Sequence, residues 1–341
     1  MPSSTSSSEP RKIPRGDWRV IWLVTGVVAI GLLGAAELVT RAHGQRPSVV
    51  DDPISWSLVR RTADDDPRVV AFIGASRMAL GYSADAFAEA APTLRGVQLA
   101  IDGASPFGVL ADLAGDEHFR GLVVVDMIEW EVGVSDTFND ARLYVSREHA
   151  LWRAPGALAN RILAGSPQSE FALLALGGRR LVTSLVGKLQ WPTPSWVAAD
   201  RDRISRADYS LAEPAALRRK RDNRLDTIPA ATPSPDEWLA IIARDIEPQL
   251  RQLRAHGGDV AVIHMPLSGR LLEVFDQKYP RQRYWDVFAA RSAAHVLHFR
   301  DIPAMATLTC PDEMHLDQKD HAAFTRALVG ALRERHLLRE P

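Results

Sequence analysis

The chain has 341 residues, 46% of them hydrophobic and 24% charged, which is enough apolar material for the core of one large domain. Its 41 Lys and Arg residues are matched by 42 Asp and Glu residues, which excludes the excess positive charge that general binding of nucleic acids requires. A single cysteine, Cys310, excludes an internal disulfide framework and a cysteine-rich zinc site.

The N-terminal region predicts a membrane anchor preceded by a short tail. Residues 1–19 are polar and basic, and we expect them to form a disordered cytoplasmic tail. Residues 20–40 begin with 17 positions without a charge, close to the ~20 residues that a helix needs to cross a bilayer. Because Lys and Arg are concentrated before this run, the main domain is expected on the extracytoplasmic, periplasmic side of the cell membrane. The alternative is a signal peptide cleaved at the small residues 34–36, which would make the protein secreted.

Apolar runs and helical patterns alternate along residues 67–337, after a polar linker over residues 41–66. Strands are expected at 69–73, 97–101 and 122–125, with a helix between each pair. This order of strands and helices predicts parallel pairing through right-handed crossovers. The predicted fold class is therefore α/β, a three-layer α/β/α domain with a central parallel sheet of the flavodoxin-like kind.

A large insertion interrupts this pattern at about residues 127–236, where no alternation is visible. We expect the insertion to be mostly helical and to cover the sheet. Its basic cluster at residues 218–224 has two interpretations, either solvated arginines of a helical subdomain or a contact with the bilayer surface. Strands resume at 260–263 and 297–299, and a helix with apolar residues at helical spacing closes the chain.

Three short segments carry the residue types of nucleophilic catalysis. Ser76 lies in the sequence G-A-S-R at residues 74–77 and follows the first strand, and ligands of open parallel sheets bind beyond the carboxyl ends of strands. Asp312 and His315 stand three residues apart before the last helix, and a histidine oriented by a carboxylate can take the proton of a serine. Gly103 follows the second strand, where its backbone N–H can face a developing oxyanion.

Each segment also has a purely structural interpretation. A serine after a strand can cap a helix, a D-x-x-H sequence occurs in exposed acidic loops, and a glycine often forms the turn between a strand and a helix. The G-x-S-x-G elbow, the dinucleotide fingerprint and the P-loop do not occur at the first segment. This disfavours an ordinary α/β-hydrolase site, and it leaves a nucleotide or phosphate site there as the weakest interpretation.

Together, the three segments resemble the SGNH, or GDSL-type, hydrolase superfamily. In that family the first block places the nucleophilic serine on the turn after strand one, the second supplies a glycine as an oxyanion donor, and the last reads D-x-x-H. The N-terminal span and the G-x-S-R of residues 74–77 are more similar to the membrane-anchored bacterial members. Several of these act in acyl modification of envelope polysaccharides. The resemblance covers roughly residues 68–127 and 236–337.

The resemblance implies a role for each residue of these blocks. Ser76 is the expected nucleophile, His315 its general base, and Asp312 the residue that orients the imidazole. The backbone N–H groups of Ser76 and Gly103 are the expected oxyanion donors. The expected partners are an acyl-ester or polysaccharide substrate, the bilayer through residues 20–40 and a membrane acyl donor, with no nucleic acid.

Other residues are expected to line the pocket, although core packing is an alternative for His264 and Trp285. We treat Cys310 as a small buried residue. With no H-E-x-x-H and no clustered ligands, the sequence predicts no metal, and no cofactor is expected. The expected pocket residues are Arg77, Asp102, Glu129, His264 and Trp285.

One departure from the family leaves two functions open. The third block of the family, G-x-N-D, supplies a side-chain amide after strand three, whereas this chain has Asp126 there and no asparagine nearby before Asn139. A carboxylate donates a hydrogen bond only when protonated, and loss of one oxyanion donor slows a serine hydrolase by about 10²–10³-fold. The first hypothesis is a serine esterase or O-acyltransferase acting on an envelope polysaccharide, with Asn139 as a substitute donor. The second is a non-catalytic binding or assembly module in polysaccharide modification or export.

Overall fold

A computed structural model describes residues 17–133, 144–145, 167–176, 191–225 and 232–339, and the single positions 156, 159 and 163. Seven strands occur in this part of the chain: β1 (Val69–Ile73), β2 (Arg95–Gln98), β3 (Leu122–Asp126), β4 (Val197–Ala199), β5 (Ser205–Ala207), β6 (Asp259–His264) and β7 (His295–His298). Five of them form a parallel sheet in the order β2-β1-β3-β6-β7, while β4 and β5 form an antiparallel hairpin. The prediction of an α/β fold with a central parallel sheet is confirmed.

Thirteen α-helices accompany the strands in the described ranges. The first, α1 (Trp18–Ala42), is long and apolar enough to cross a membrane, and its apolar side chains are largely uncovered by the rest of the protein. The others are α2 (Pro53–Arg60), α3 (Ser76–Gly81), α4 (Ala84–Ala90), α5 (Phe107–Gly115), α6 (Ala172–Leu176), α7 (Pro214–Leu225), α8 (Pro235–Ile241), α9 (Glu247–Ala255), α10 (Gly269–Lys278), α11 (Trp285–Arg291), α12 (Pro303–Ala306) and α13 (Gln318–Glu334).

The sheet is buried on both faces, which explains why its central strands are uninterrupted apolar runs. All five residues of β1 are buried. Val70 and Phe72 join one apolar cluster, which includes side chains of α4 and α13. Ala71 and Ile73 point the other way, into a second cluster with side chains of α5 and α9. The sheet therefore lies between two layers of helices.

The strand order reverses beside β1, which pairs with β2 on one side and with β3 on the other. In open parallel sheets, a crevice forms at the carboxyl ends of the strands where the order reverses. Ile73, the last residue of β1, pairs with Val125 near the end of β3. The chain that follows Ile73 therefore enters this crevice.

Residues 41–66 are packed onto the domain, which differs from the linker expected from their polarity. Trp56 of α2 is completely buried, and its Nε1 donates to the carbonyl of Leu99 at 3.0 Å. Arg60 is also buried and donates to Asp112 at 2.7 Å and to Asp116 at 2.6 Å. Arg60 is thus engaged in buried ion pairs rather than solvated, and the polarity of the sequence alone does not reveal this.

The insertion is not wholly helical, because the hairpin of β4 and β5 lies within it. Each strand has only three residues, too few to give a readable alternation. Arg203 lies between them and donates to the carbonyls of Gln98 and Ala100, at 3.0 and 2.8 Å. The hairpin is thereby attached beside the carboxyl end of β2. The predicted donor Asn139 lies outside the described residues, as do residues 1–16 of the predicted tail.

Candidate active site

The turn between β1 and α3 presents Ser76 at the first position of the helix. Gly74 permits this turn because it passes very close to the end of β3. A Cβ at position 74 would lie 2.9 Å from the Cβ of Asp126 and 2.8 Å from that of Met78, which is closer than side chains can approach. The glycine of the G-A-S-R sequence is therefore required by close packing, and it places Ser76 in the crevice between β1 and β3.

Ser76, His315 and Asp312 form a continuous chain of hydrogen bonds. His315 Nε2 lies 2.8 Å from the Oγ of Ser76, 239 residues away in sequence. His315 Nδ1 lies 2.8 Å from Oδ2 of Asp312. If Nδ1 carries the proton and donates to the carboxylate, Nε2 is free to accept the proton of the serine hydroxyl. This is the arrangement that activates a serine as a nucleophile.

The loop that carries Asp312 and His315 is held in its conformation by hydrogen bonds of its own side chains. Oδ1 of Asp312 accepts hydrogen bonds from the backbone N–H groups of Met314 and His315, at 3.0 and 2.8 Å. Glu313 adopts a positive φ of 75°, and its carboxylate accepts from the N–H of Leu271 in α10 at 3.1 Å. The D-x-x-H spacing thus produces an Asx-type turn that brings carboxylate and imidazole together.

The insertion supplies a cation to this site, which the sequence pattern did not reveal. Arg221 of α7 donates through Nη2 to Oδ2 of Asp312 at 2.9 Å, and it also contacts the Asp312 carbonyl. Burial opposes ionisation of Asp312, but the hydrogen bonds from His315 and the charges of His315 and Arg221 outweigh it and hold the pKa of the carboxyl well below its usual range. The neighbouring Arg218 donates to the carbonyl of Pro311. Two arginines of the predicted basic cluster therefore bind the loop that carries Asp312 and His315.

Two further buried groups lie close to Asp312. Tyr209 lies before α7 in the chain. Burial, together with the Asp312 carboxylate, raises the pKa of its hydroxyl. The Cys310 thiol lies 3.4 Å from the carbonyl of Pro266, and burial, with a contribution from Asp312, raises its pKa to about 12. The thiol is therefore protonated at neutral pH and is a poor nucleophile.

The candidate oxyanion donors lie on two neighbouring loops. Asp102 and Gly103 are exposed after β2, and Gly103 adopts a positive φ of 74°. Within the described ranges, no hydrogen bond engages the N–H of Gly103. That amide and the N–H of Ser76, for which no acceptor is seen in the same ranges, are the two candidate backbone donors.

The third-block position is occupied by a buried ion pair. Arg77 is 2% exposed, and its Nη2 donates to Oδ1 of Asp126 at 2.6 Å. Its Nη1 lies 3.4 Å from the carbonyl of Met265, which follows β6. Burial raises the pKa of the Asp126 carboxyl, and the charge of Arg77 opposes this effect. Both residues are buried next to the turn that carries Ser76 rather than exposed on an open pocket wall.

The other predicted pocket residues come together in the core below this ion pair. His264 Nδ1 donates to the Met265 carbonyl at 2.9 Å, which leaves Nε2 facing the Glu129 carboxylate at 3.3 Å. Trp285 packs edge-on against His264 with ring centroids 5.2 Å apart. His264, Glu129 and Trp285 are all nearly inaccessible to solvent. The structure therefore gathers them, but as a buried cluster.

Burial also shifts the pKa values of two titratable groups near this cluster, His298 and Glu131. His298 stacks on His264, with ring centroids 4.7 Å apart. Burial, with the nearby cationic groups, lowers the pKa of His298 to about 2, so its ring is neutral at physiological pH. Burial also raises the pKa of Glu131 to about 8, despite the neighbouring Arg77.

No family model matches the chain, and no curated protein sequence matches it. Among the described residues, no group of three or more His, Cys, Asp and Glu side chains has the arrangement needed to hold a metal ion. The chemistry of the site therefore has to be inferred from its geometry.

Proposed function

We propose that the protein is a membrane-anchored serine hydrolase or O-acyltransferase of the SGNH type, with its catalytic domain on the extracytoplasmic side. The observation that carries the proposal is the pair of 2.8 Å contacts that join Ser76, His315 and Asp312. Residues so far apart in sequence meet at the switch point of a parallel sheet, where ligands of such folds bind. The apolar helix α1 supports the anchor, and cleavage within residues 34–36 would instead release the domain.

The geometry suits acyl transfer through a covalent intermediate. His315 takes the proton of Ser76 as its Oγ attacks an ester carbonyl, and Asp312 stabilises the imidazolium that forms. The imidazolium then protonates the departing alkoxide, leaving an acyl group on Ser76. Water or a sugar hydroxyl then attacks this ester while His315 takes its proton. The imidazolium returns that proton to Oγ as the bond between the acyl carbon and Ser76 breaks, which restores the serine and the neutral histidine.

The oxyanion of each tetrahedral intermediate is assigned to the N–H groups of Ser76 and Gly103. Asp126 is assigned no donor role, because it is buried and its Oδ1 accepts a hydrogen bond from Arg77. With one side-chain donor fewer than the family pattern, the reaction is expected to be slower by about 10²–10³-fold than in a site with a full set of donors.

The substrate class follows from the resemblance and from the location. An anchored domain facing the cell envelope meets polysaccharides, and the acyl donor would be delivered by a partner in the membrane. The missing asparagine favours a second candidate, a non-catalytic module that binds or assembles the polysaccharide machinery. Activation of Ser76 distinguishes the two, since a binding module does not need a nucleophile.

Covalent labelling tests the proposal directly. The full chain, purified in detergent, is treated with a fluorophosphonate and its intact mass is measured. One adduct is expected on the wild type and none on Ser76→Ala. His315→Ala is expected to react about 10²–10⁴-fold more slowly, because it lacks the general base. Ser195→Ala, which changes an exposed serine outside the site, is the matched control and is expected to react like the wild type.

The outcomes separate the candidate functions. A folded wild type that gains no adduct would refute catalysis and leave the binding module. If the adduct forms, a chromogenic acetyl ester supplied with and without an oligosaccharide tests the acceptor. An acetylated oligosaccharide in the mass spectrum indicates a transferase, and free acetate alone indicates an esterase.

A further inference from the structure

The end of α1 holds the first turn of α6, in the insertion. Glu37 accepts hydrogen bonds from the N–H groups of Ala172 and Leu173, at 2.9 and 2.8 Å. Arg41 donates to Glu37 at 2.6 Å and to the carbonyl of Glu170 at 2.6 Å. The free amides at the start of α6 are thus capped by a carboxylate of the apolar helix, whose charge is balanced by its own Arg41.

This contact lies at a defined depth relative to the bilayer. A hydrocarbon core of about 30 Å takes up ~20 helical residues, so a span that starts at Val20 ends near Val39. Glu37 therefore lies within one helical turn of the outer boundary. Thr40, one turn further along, is the buried residue of α1. The domain touches α1 at the level where the hydrocarbon gives way to headgroups.

Beside this contact, the domain exposes large apolar side chains. Phe171 is 50% exposed and Leu174 is 47% exposed, whereas Ala172 and Leu176 face the protein. Outside α1, comparable exposure of a large apolar side chain occurs in the described ranges only at two other positions, 50 and 163. Exposed apolar groups next to each other typically mark a surface that contacts a membrane or a partner.

We propose that Phe171 and Leu174 insert into the outer interfacial layer of the bilayer, next to the α1 span. Continuity with α1 identifies the lipid as the occupant, because α6 is attached to the span at the depth of the interface. Aromatic and aliphatic side chains partition favourably into this layer. The inference requires that α1 cross the bilayer, as proposed above, and it is independent of the chemistry at Ser76.

Insertion of α6 gives the domain a second attachment to the membrane besides α1. This attachment fixes the orientation of the sheet edge that carries Ser76. Arg46, four residues after α1, pairs with Asp208 at 2.8 Å. The next residue, Tyr209, is close enough to Asp312 for its pKa to be raised by that carboxylate, after the larger effect of burial. A short chain of contacts therefore joins the span to the triad. With α6 held in the interface, the domain cannot swing freely about the span, and the active site keeps a constant height above the bilayer.

Site-specific fluorescence in proteoliposomes tests this contact. Phe171→Cys and Leu174→Cys are made separately in the full chain and labelled with an environment-sensitive fluorophore, while the native Cys310 is buried. The vesicles contain phosphatidylcholine and phosphatidylglycerol, with or without brominated acyl chains. Leu32→Cys in the uncovered part of α1 is the positive control, and Glu334→Cys at the exposed end of α13 is the negative control. Thermal unfolding of each labelled variant shows whether it is folded.

We expect labels at positions 171 and 174 to be quenched by brominated lipid, as at position 32, and to be protected from aqueous iodide. Quenching by iodide at 171 and 174 to the extent seen at 334, with position 32 still in lipid, would overturn the proposal while leaving the span intact. Protection from both quenchers would also overturn it, because a protein partner or a second copy would then cover the surface. Loss of lipid quenching at position 32 would overturn the span itself.

Discussion

Replacing Arg221 with glutamine is expected to remove stability that depends on the ionised Asp312 carboxylate. Arg221 and His315 both donate to Oδ2 of Asp312, at 2.9 and 2.8 Å. Burial opposes ionisation of Asp312, but the hydrogen bonds and charge of His315 and the charge of Arg221 hold its pKa well below its usual range. A carboxyl whose pKa is lowered in the folded state stabilises the fold above its unfolded pKa, and this stability is lost as the pH falls. Without the guanidinium, less of this stability is present at neutral pH.

The size of the effect follows from the geometry. Nη2 of Arg221 lies 2.9 Å from Oδ2 of Asp312, and both side chains are largely buried. Two opposite unit charges at this separation attract by roughly 1.4 kcal/mol in water and by about 6 kcal/mol at an effective dielectric constant of 20. Removing one partner of a buried ion pair costs about 3–5 kcal/mol, so the free energy of unfolding near neutral pH is expected to fall by about 1–5 kcal/mol.

Urea unfolding at a series of pH values from acid to neutral measures the effect. Arg219→Gln, on the exposed side of the same helix, is the matched control, because it removes the same charge away from the site. Arg221→Lys keeps the charge and is expected to lose less stability than Arg221→Gln. The deficit of Arg221→Gln is expected to shrink as the pH falls and Asp312 becomes protonated. Equal stabilities of Arg221→Gln and Arg219→Gln at neutral pH would refute the assigned role of the Arg221 charge.

Three further substitutions test the surroundings of the site. Gly74→Ala places a Cβ against the end of β3 and is expected to lower the free energy of unfolding in urea by about 1–3 kcal/mol, whereas Gly115→Ala meets no atom within 4 Å and is expected to be neutral. Burial raises the pKa of Glu131 from 4.5 to about 8, so the folded state favours its protonated form and loses stability as the pH rises through this range. Glu131→Gln is expected to remove this loss, measured by comparing urea unfolding at about pH 5 and about pH 9. Arg60→Met leaves buried carboxylates without their cation and is expected to lower the free energy of unfolding by about 3–5 kcal/mol, whereas an unaffected domain would mean that residues 41–66 are a free linker.

The sheet was the most predictable part of the molecule, because a strand that is buried on both faces is an uninterrupted apolar run in the sequence. The prediction for Val69–Ile73 matches the strand to the residue, and that for Leu122–Asp126 ends one position early. The expected strand at 97–101 is wrong for its second half, because β2 spans Arg95–Gln98. The β4 and β5 strands show no such pattern, since three residues are too few for a recognisable apolar run or alternation. Polar segments were misjudged for a related reason: the side chain of Trp56 is buried by tertiary packing, and its polar neighbours gave no sign of it.

The site was predictable only as far as its residues lie in short motifs. Ser76 follows a readable strand, and Asp312 and His315 share one turn, so these three could be proposed together. Arg221 contacts Asp312 across 91 residues, and its sequence neighbourhood is a run of arginines that resembles a solvated surface. Which arginine of such a run faces the site depends on how the insertion folds over the sheet, and that is not encoded in any local pattern.

The ion pair between Arg77 and Asp126 accounts for the aspartate that stands where the resemblance to the SGNH superfamily predicts an asparagine. An asparagine at position 126 would leave the buried guanidinium without a counter-charge, and breaking a buried ion pair from one side costs about 3–5 kcal/mol. The arginine after the nucleophile and the aspartate after β3 therefore depend on each other. Asp126→Asn is expected to destabilise the protein without accelerating labelling, even though it restores the amide of the family pattern. Arg77, the residue after Ser76, instead links the carboxyl ends of β3 and β6 and so helps to hold the turn that carries Ser76. In the proposed mechanism, this leaves the oxyanion to backbone N–H groups.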